Sequence, residues 1–210
     1  MLELLPDKNC AFCPRLKEFR EEARQKFPDK YNAPVPAFGP RNAKLLIVGL
    51  APGLKGANFS GRPFTGDYAG DLLYATLLKF GFARGTYSAR IDDGLELINA
   101  RITNAVKCVP PENKPTGDEI NTCLNFLKKE ITLMPDIKVI LSLGLISHNA
   151  VLKTFGHKQS TFKFAHGATH DLGNGIKLID SYHCSRYNTN TNRLTTQMFE
   201  AVFETIKDQL

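Results

Sequence analysis

Residues 44–50 read KLLIVGL, and residues 51–67 read APGLKGANFSGRPFTGD. The first stretch is a short unbroken apolar run, the pattern of a parallel strand buried on both faces. The second is a loop in which five glycines between positions 49 and 66 let the backbone approach a ligand closely. It is neither a P-loop, since no GK[ST] follows at the required spacing, nor a GxGxxG turn. Three more strand-like runs follow at 100–106 (ARITNAV), 138–143 (KVILSL) and 176–182 (IKLIDSY). Helical patterns lie between them. Residues 71–80 (DLLYATLLKF) stop at Gly81, and a helix opened by the capping-box pair Thr116 and Glu119 runs to about Met134 and is ended by Pro135. Further helices read near 145–155 and over 192–208, and 14–27 places Leu16, Phe19, Ala23 and Phe27 at helical spacing. Residues 28–43 form a Pro-rich connection, and 160–175, with Gly, Asn and alternating aromatics, reads as a small hairpin. Strands alternating with helices imply right-handed crossovers. The expected class is α/β: one domain over residues 1–210, three-layer α/β/α, with a central, mainly parallel four-stranded sheet. In such sheets the ligand lies beyond the carboxyl ends of the strands. That points to the loop after Leu50, the end of ARITNAV and the segment from His183.

Composition bounds the function. The 210 residues suit one α/β domain, and 42% hydrophobic with 23% charged residues excludes wholesale disorder. No apolar run reaches the roughly 18 residues of a transmembrane helix. The start, MLELLPDKNCAFC, lacks a basic region followed by an apolar core, so no signal peptide is read and the cytoplasm is expected. A net charge of +6 is compatible with nucleic-acid binding.

Five cysteines stand at 10, 13, 108, 123 and 184. Cys10 and Cys13 form a C-x2-C pair, and Cys108 and Cys123 come from a distant segment. Four thiolates so arranged suit a tetrahedral zinc or an iron–sulfur cluster, and the lack of a second C-x2-C knuckle tilts the balance to a cluster. Cys184, beside His183, reads either as a nucleophile or as a small residue packed under a loop.

Two segments carry a resemblance. GLAPGLKGAN…GRPFTGD…GDLLY is similar to the first motif of the iron–sulfur branch of the uracil-DNA glycosylase superfamily, closest to its family five. HCSRYNTNTNRLT at 183–195 resembles that family's second motif, with Cys184 where relatives carry Pro. ITNAVKC falls between them. The resemblance implies a monofunctional DNA repair glycosylase that hydrolyses the N-glycosidic bond of uracil, with hypoxanthine or other deaminated bases as further substrates, and leaves an abasic site. It implies a structural [4Fe-4S] cluster on Cys10, Cys13, Cys108 and Cys123. It implies His183 as the donor to uracil O2, Asn104 as the reader of the base and Phe64 as the ring on which the base stacks, with Gly49, Ala51, Pro52 and Gly53 around them.

Ala51 stands where the best-known uracil glycosylases carry a side chain that acts on water. An alanine cannot do so, which leaves Asn58 and Asp67 as candidates. Ser185, Arg186, Tyr187 and Asn188 stand where relatives meet DNA, and Arg186 or Tyr187 would enter the vacated duplex site. The expected partner is DNA, and the expected state is a monomer away from membranes. The competing readings are a catalytically silent iron–sulfur nucleic-acid-binding protein on the same fold and a small-molecule hydrolase using Cys184, which lacks a nucleophile elbow.

Overall fold

The computed structural model describes residues 5–210. Helix α1 (Pro14–Lys26) leads through the Pro-rich connection to strand β1 (Leu45–Gly49). The glycine-rich segment then carries the single turn α2 (Ala57–Ser60) and ends in α3 (Tyr68–Lys79). Two short strands, β2 (Ala83–Arg84) and β3 (Glu96–Leu97), form a separate antiparallel pair. After them come β4 (Ala100–Asn104), α4 (Gly117–Thr132), β5 (Val139–Leu143), α5 (Leu145–Thr154), β6 (Thr169–Asp171), β7 (Lys177–Ser181), α6 (Arg186–Asn190) and α7 (Thr196–Asp208).

The main sheet has the order β4-β1-β5-β7-β6, parallel except for β6. The four parallel strands are those expected; the sheet has five because β6 adds an edge. Only 169–171 of the expected 160–175 hairpin is strand, and its partner is β7, across a turn that contains Asn174 at φ 53°. A three-residue edge strand with partly exposed side chains carries too little periodicity to be read from sequence.

Side chains of β1 alternate between faces, as strand geometry requires. Leu45 and Ile47 pack with Leu73 and Leu77 of α3 and with Phe199 and Phe203 of α7. Leu46 and Val48 pack with Leu127 of α4 and with Val151 and Leu152 of α5. Each such buried side chain contributes about 1.5–3 kcal/mol relative to exposure. The result is helices over both faces of the sheet.

Helix starts follow their caps. The Thr116–Glu119 capping box is present, with Thr116 N donating to the Glu119 carboxylate at 2.7 Å. Helix α3 begins three residues before 71 because Asp67 caps it. The helix expected over 192–208 begins at Thr196, where Thr195 caps α7, and a separate short helix, α6, capped by Ser185, precedes it. At the carboxyl ends, Gly49 and Asn104 are neighbours in the β1–β4 register, and His183 follows β7 by two residues.

Candidate active site

Gly49 sets the geometry. A β-carbon at this position would lie 2.4 Å from Asn104 Oδ1 and 2.6 Å from Phe64 Cζ. Only a residue without a side chain lets a carboxamide and an aromatic ring meet over the end of β1. Asn104 and Phe64 are buried and line a cleft of about 630 Å³, within the usual range for small-molecule sites. His183 lines the same cleft, its ring centre 5.9 Å from that of Phe64 and the two planes 28° apart.

Phe64 holds a left-handed backbone, φ 53°, which a bulky residue adopts only under constraint. The constraint is visible. Tyr87 Oη donates to Phe64 O at 3.2 Å, Tyr74 Oη donates to Pro63 O at 2.6 Å, and Arg62 Nε donates to Thr65 Oγ1 at 2.7 Å. Gly70 passes beneath, where a β-carbon would fall 1.9 Å from Phe64 O. Arg62 itself is buried, holds both carboxylate oxygens of Asp93 at 2.8 and 2.7 Å, and lies against the rings of Phe38, Tyr74 and Tyr87. The Arg62 hydrogen bonds keep the Asp93 carboxyl well below the usual carboxylate range.

Burial pushes the His183 imidazole down to about 4. The ring is therefore neutral near pH 7, with one nitrogen as donor and the other as acceptor. Asn188 Nδ2 donates to the His183 carbonyl at 2.8 Å and fixes the backbone that carries the ring. Asp67 has two tasks. Its Oδ1 accepts from Gly70 N at 3.2 Å as the cap of α3, while the side chain also lines the cleft. Burial raises its pKa above the ordinary value, and Asp71 adds to the rise.

The cleft also takes in Ala51, Pro52, Gly53, Ser185 and Arg186. The Arg186 guanidinium sits 5.3 Å from the Tyr68 ring centre, and Tyr187 stands out at 72% exposure. Asn58 is not among the cleft-lining residues. It is buried in α2, its Nδ2 donates to Asn32 Oδ1 at 2.8 Å, and its Oδ1 has no protein partner. Cys184 is fully buried, its thiol directed at Ala69 O at 3.4 Å, and burial raises its pKa strongly. It packs under the loop and has neither the exposure nor the thiolate character of a nucleophile.

Among the cleft residues that sequence reasoning did not single out, three carry long or polar side chains: Lys55, Tyr68 and Asn113. Glu112 and Asn113 both have left-handed backbones, φ 54° and 57°, a conformation that asparagine tolerates better than most residues. An Asn in a Pro-rich loop at the carboxyl end of β4 was the available signal.

A short distance along the same end of the sheet, Cys10, Cys13, Cys108 and Cys123 line one small pocket. Cys13 stands at the N-cap of α1, Cys108 follows β4 and Cys123 lies in α4. Burial raises the thiol pKa of Cys108 to about 12 and also raises those of Cys13 and Cys123. Four cysteine sulfurs lining one pocket form a donor set that fits a tetrahedral zinc or an iron–sulfur cluster.

Comparison with known proteins follows the same lines. A family profile described as the Uracil DNA glycosylase superfamily matches residues 36–207. A type-5 uracil-DNA glycosylase of Thermus thermophilus is 43% identical over 195 residues, covering 90% of this chain and 89% of the relative. A type-5 enzyme of Mycobacterium bovis is 40% identical over 94% of this chain and 77% of its own. One of Pyrobaculum aerophilum is 38% identical over 92% and 86%.

Proposed function

Given that this chain belongs to the uracil DNA glycosylase superfamily, we propose that it hydrolyses the N-glycosidic bond of uracil in DNA, releasing the base and leaving an abasic site. The observation that carries the reading is the meeting of Asn104 and Phe64 over Gly49, with a neutral His183 beside the Phe64 ring. The base leaves the duplex stack and enters the cleft. It lies on the Phe64 ring. The Asn104 carboxamide, donor and acceptor at once, matches uracil O4 and N3–H. As the C1′–N1 bond breaks, negative charge gathers on the ring, and the neutral His183 donates to O2. Asp67 and Asn113 hold the water that adds to C1′. Asn58 acts at one remove, anchoring the loop to Asn32.

Arg186 answers a backbone phosphate, and Tyr187 enters the space the base vacates. Ser185 and Asn188 support them, one capping α6 and the other holding the His183 carbonyl. The cleft volume leaves room for hypoxanthine or another deaminated base beside uracil. Cys10, Cys13, Cys108 and Cys123 would hold a [4Fe-4S] cluster. When bound, it supplies a cross-link between α1, the segment after β4 and α4. We place the enzyme in the cytoplasm, where cysteines stay reduced, and as a monomer, since one chain supplies every residue the reading uses.

The test is abasic-site formation in a duplex with one G·U pair. Wild type releases uracil over many turnovers, and His183→Ala loses a factor on the order of 10²–10³ in kcat, the usual cost of one lost donor to a developing anion. Binding of the duplex without any uracil release by wild type would favour the silent binder instead.

A further inference from the structure

Beside the cysteine pocket lies a buried cation that no acid answers among the described residues. Arg20 of α1 is 2% exposed and lines that pocket. Its Nη2 donates to Cys10 O at 2.7 Å, its Nη1 faces Cys108 Sγ at 3.5 Å, and its Nε has no partner at all. A guanidinium keeps its proton in a protein. A buried charge without a counter-charge is costly, and a backbone carbonyl and neutral thiols offset it poorly.

A second excess of positive charge includes Lys107, the residue before Cys108. Arg101 and Lys107 share the one carboxylate of Glu130, at 3.0 and 2.9 Å, all three buried. Lys107 also gives its backbone N–H to Cys123 Sγ at 3.4 Å. Two cations to one carboxylate leave one positive charge over, and Arg20 supplies another. Four thiolates around an iron–sulfur core of two positive charges form a dianion.

We infer that Arg20, seconded by the Arg101–Lys107–Glu130 group, is the counter-charge of the iron–sulfur centre. It is a positioning residue whose buried cation is balanced when the centre is bound. The inference rests on the cluster reading proposed above.

The test compares wild type with Arg20→Gln, Arg20→Met and Arg20→Lys, all purified as full-length loaded protein without oxygen. Iron and labile sulfide per chain are measured first, then the decay of visible absorbance with excess chelator, then the midpoint potential. Both neutral variants should lose the centre about 10–100-fold faster, the usual cost of removing a supporting partner of a metal site. Their potentials should move negative, because a cation beside the centre eases its reduction. Arg20→Lys, which keeps the charge, should stay within a few-fold of wild type. Two neutral replacements keep the test alive if one does not accumulate.

Neutral variants that hold the centre as wild type does would overturn the inference. So would an Arg20→Lys variant as labile as they are, since hydrogen-bond geometry rather than charge would then be at work. Wild type carrying zinc, or no iron, would instead overturn the cluster reading beneath it.

Discussion

Gly49 and Asp67 show how single residues divide the work. The space over Gly49 is filled by its neighbours, so Gly49→Ala drives a methyl into Asn104 and Phe64. Overpacking of this kind costs about 1–3 kcal/mol, and here it falls on the two groups that receive the base. Uracil excision by Gly49→Ala should drop at least tenfold, read as kcat/KM on the G·U duplex, while circular dichroism still reports a folded chain. Acidity acts elsewhere. His183 is already neutral well below pH 6, because burial pulls it to about 4. Asp67 is pushed the other way by burial, and as a holder of water it is needed ionised. Activity should therefore fall as pH drops through the raised Asp67 pKa. Asp67→Asn should be slower at neutral pH and show no such limb in a pH–rate profile. The site residues were visible in the sequence to different depths. His183 and Asn104 end strands, where the sheet rule already looks. Asn58 and Asp67 were indistinguishable there as polar residues of one loop. Only the fold shows that Asn58 lies off the cleft lining and gives its Nδ2 to Asn32, its Oδ1 keeping no protein partner.

At the level of elements, caps decided more than periodicity did. Ser185 starts a five-residue helix that carries Tyr187 outward, next to a His183 carbonyl held by Asn188. That placement predicts a split in Tyr187→Ala. Activity on duplex DNA should fall several-fold, while activity on single-stranded DNA, which has no partner base to replace, should remain. Equal loss on both would show that Tyr187 has no part in opening the duplex. The sequence suggested a helix only over 192–208, where the apolar stripe lies, and none over 185–190. That helix starts four residues later because the Thr195 hydroxyl caps it, accepting from Met198 N. Strand β6 was hidden for a different reason: three residues pair through backbone groups, and side-chain pattern does not report them. The capping box at Thr116 was legible because both of its hydrogen bonds are written in residue types three apart.

Across the whole molecule, the parallel sheet gathers everything chemical at one end. The cleft residues follow β1, β4 and β7, and the cysteine pocket adjoins them through Ala51, which packs with Val106, Cys108 and Cys123. A second buried network, in which Asp180 of β7 accepts from Ser142 Oγ and pairs with His148 and His170, ties the opposite side of the sheet. This part of the design was readable as architecture, since apolar runs and crossovers dictate it. The Arg62–Asp93 pair was not, because its partners lie 31 residues apart, with one in the β2–β3 connection. The Asp93 carboxyl titrates far below the ordinary range and the guanidinium far above neutrality, so the pair stays ionised through mild acid. The shelf under Phe64 thus keeps its shape while Asp67 takes up a proton. Activity lost in mildly acid buffer should therefore be paused rather than destroyed, and should return when the buffer is neutralised.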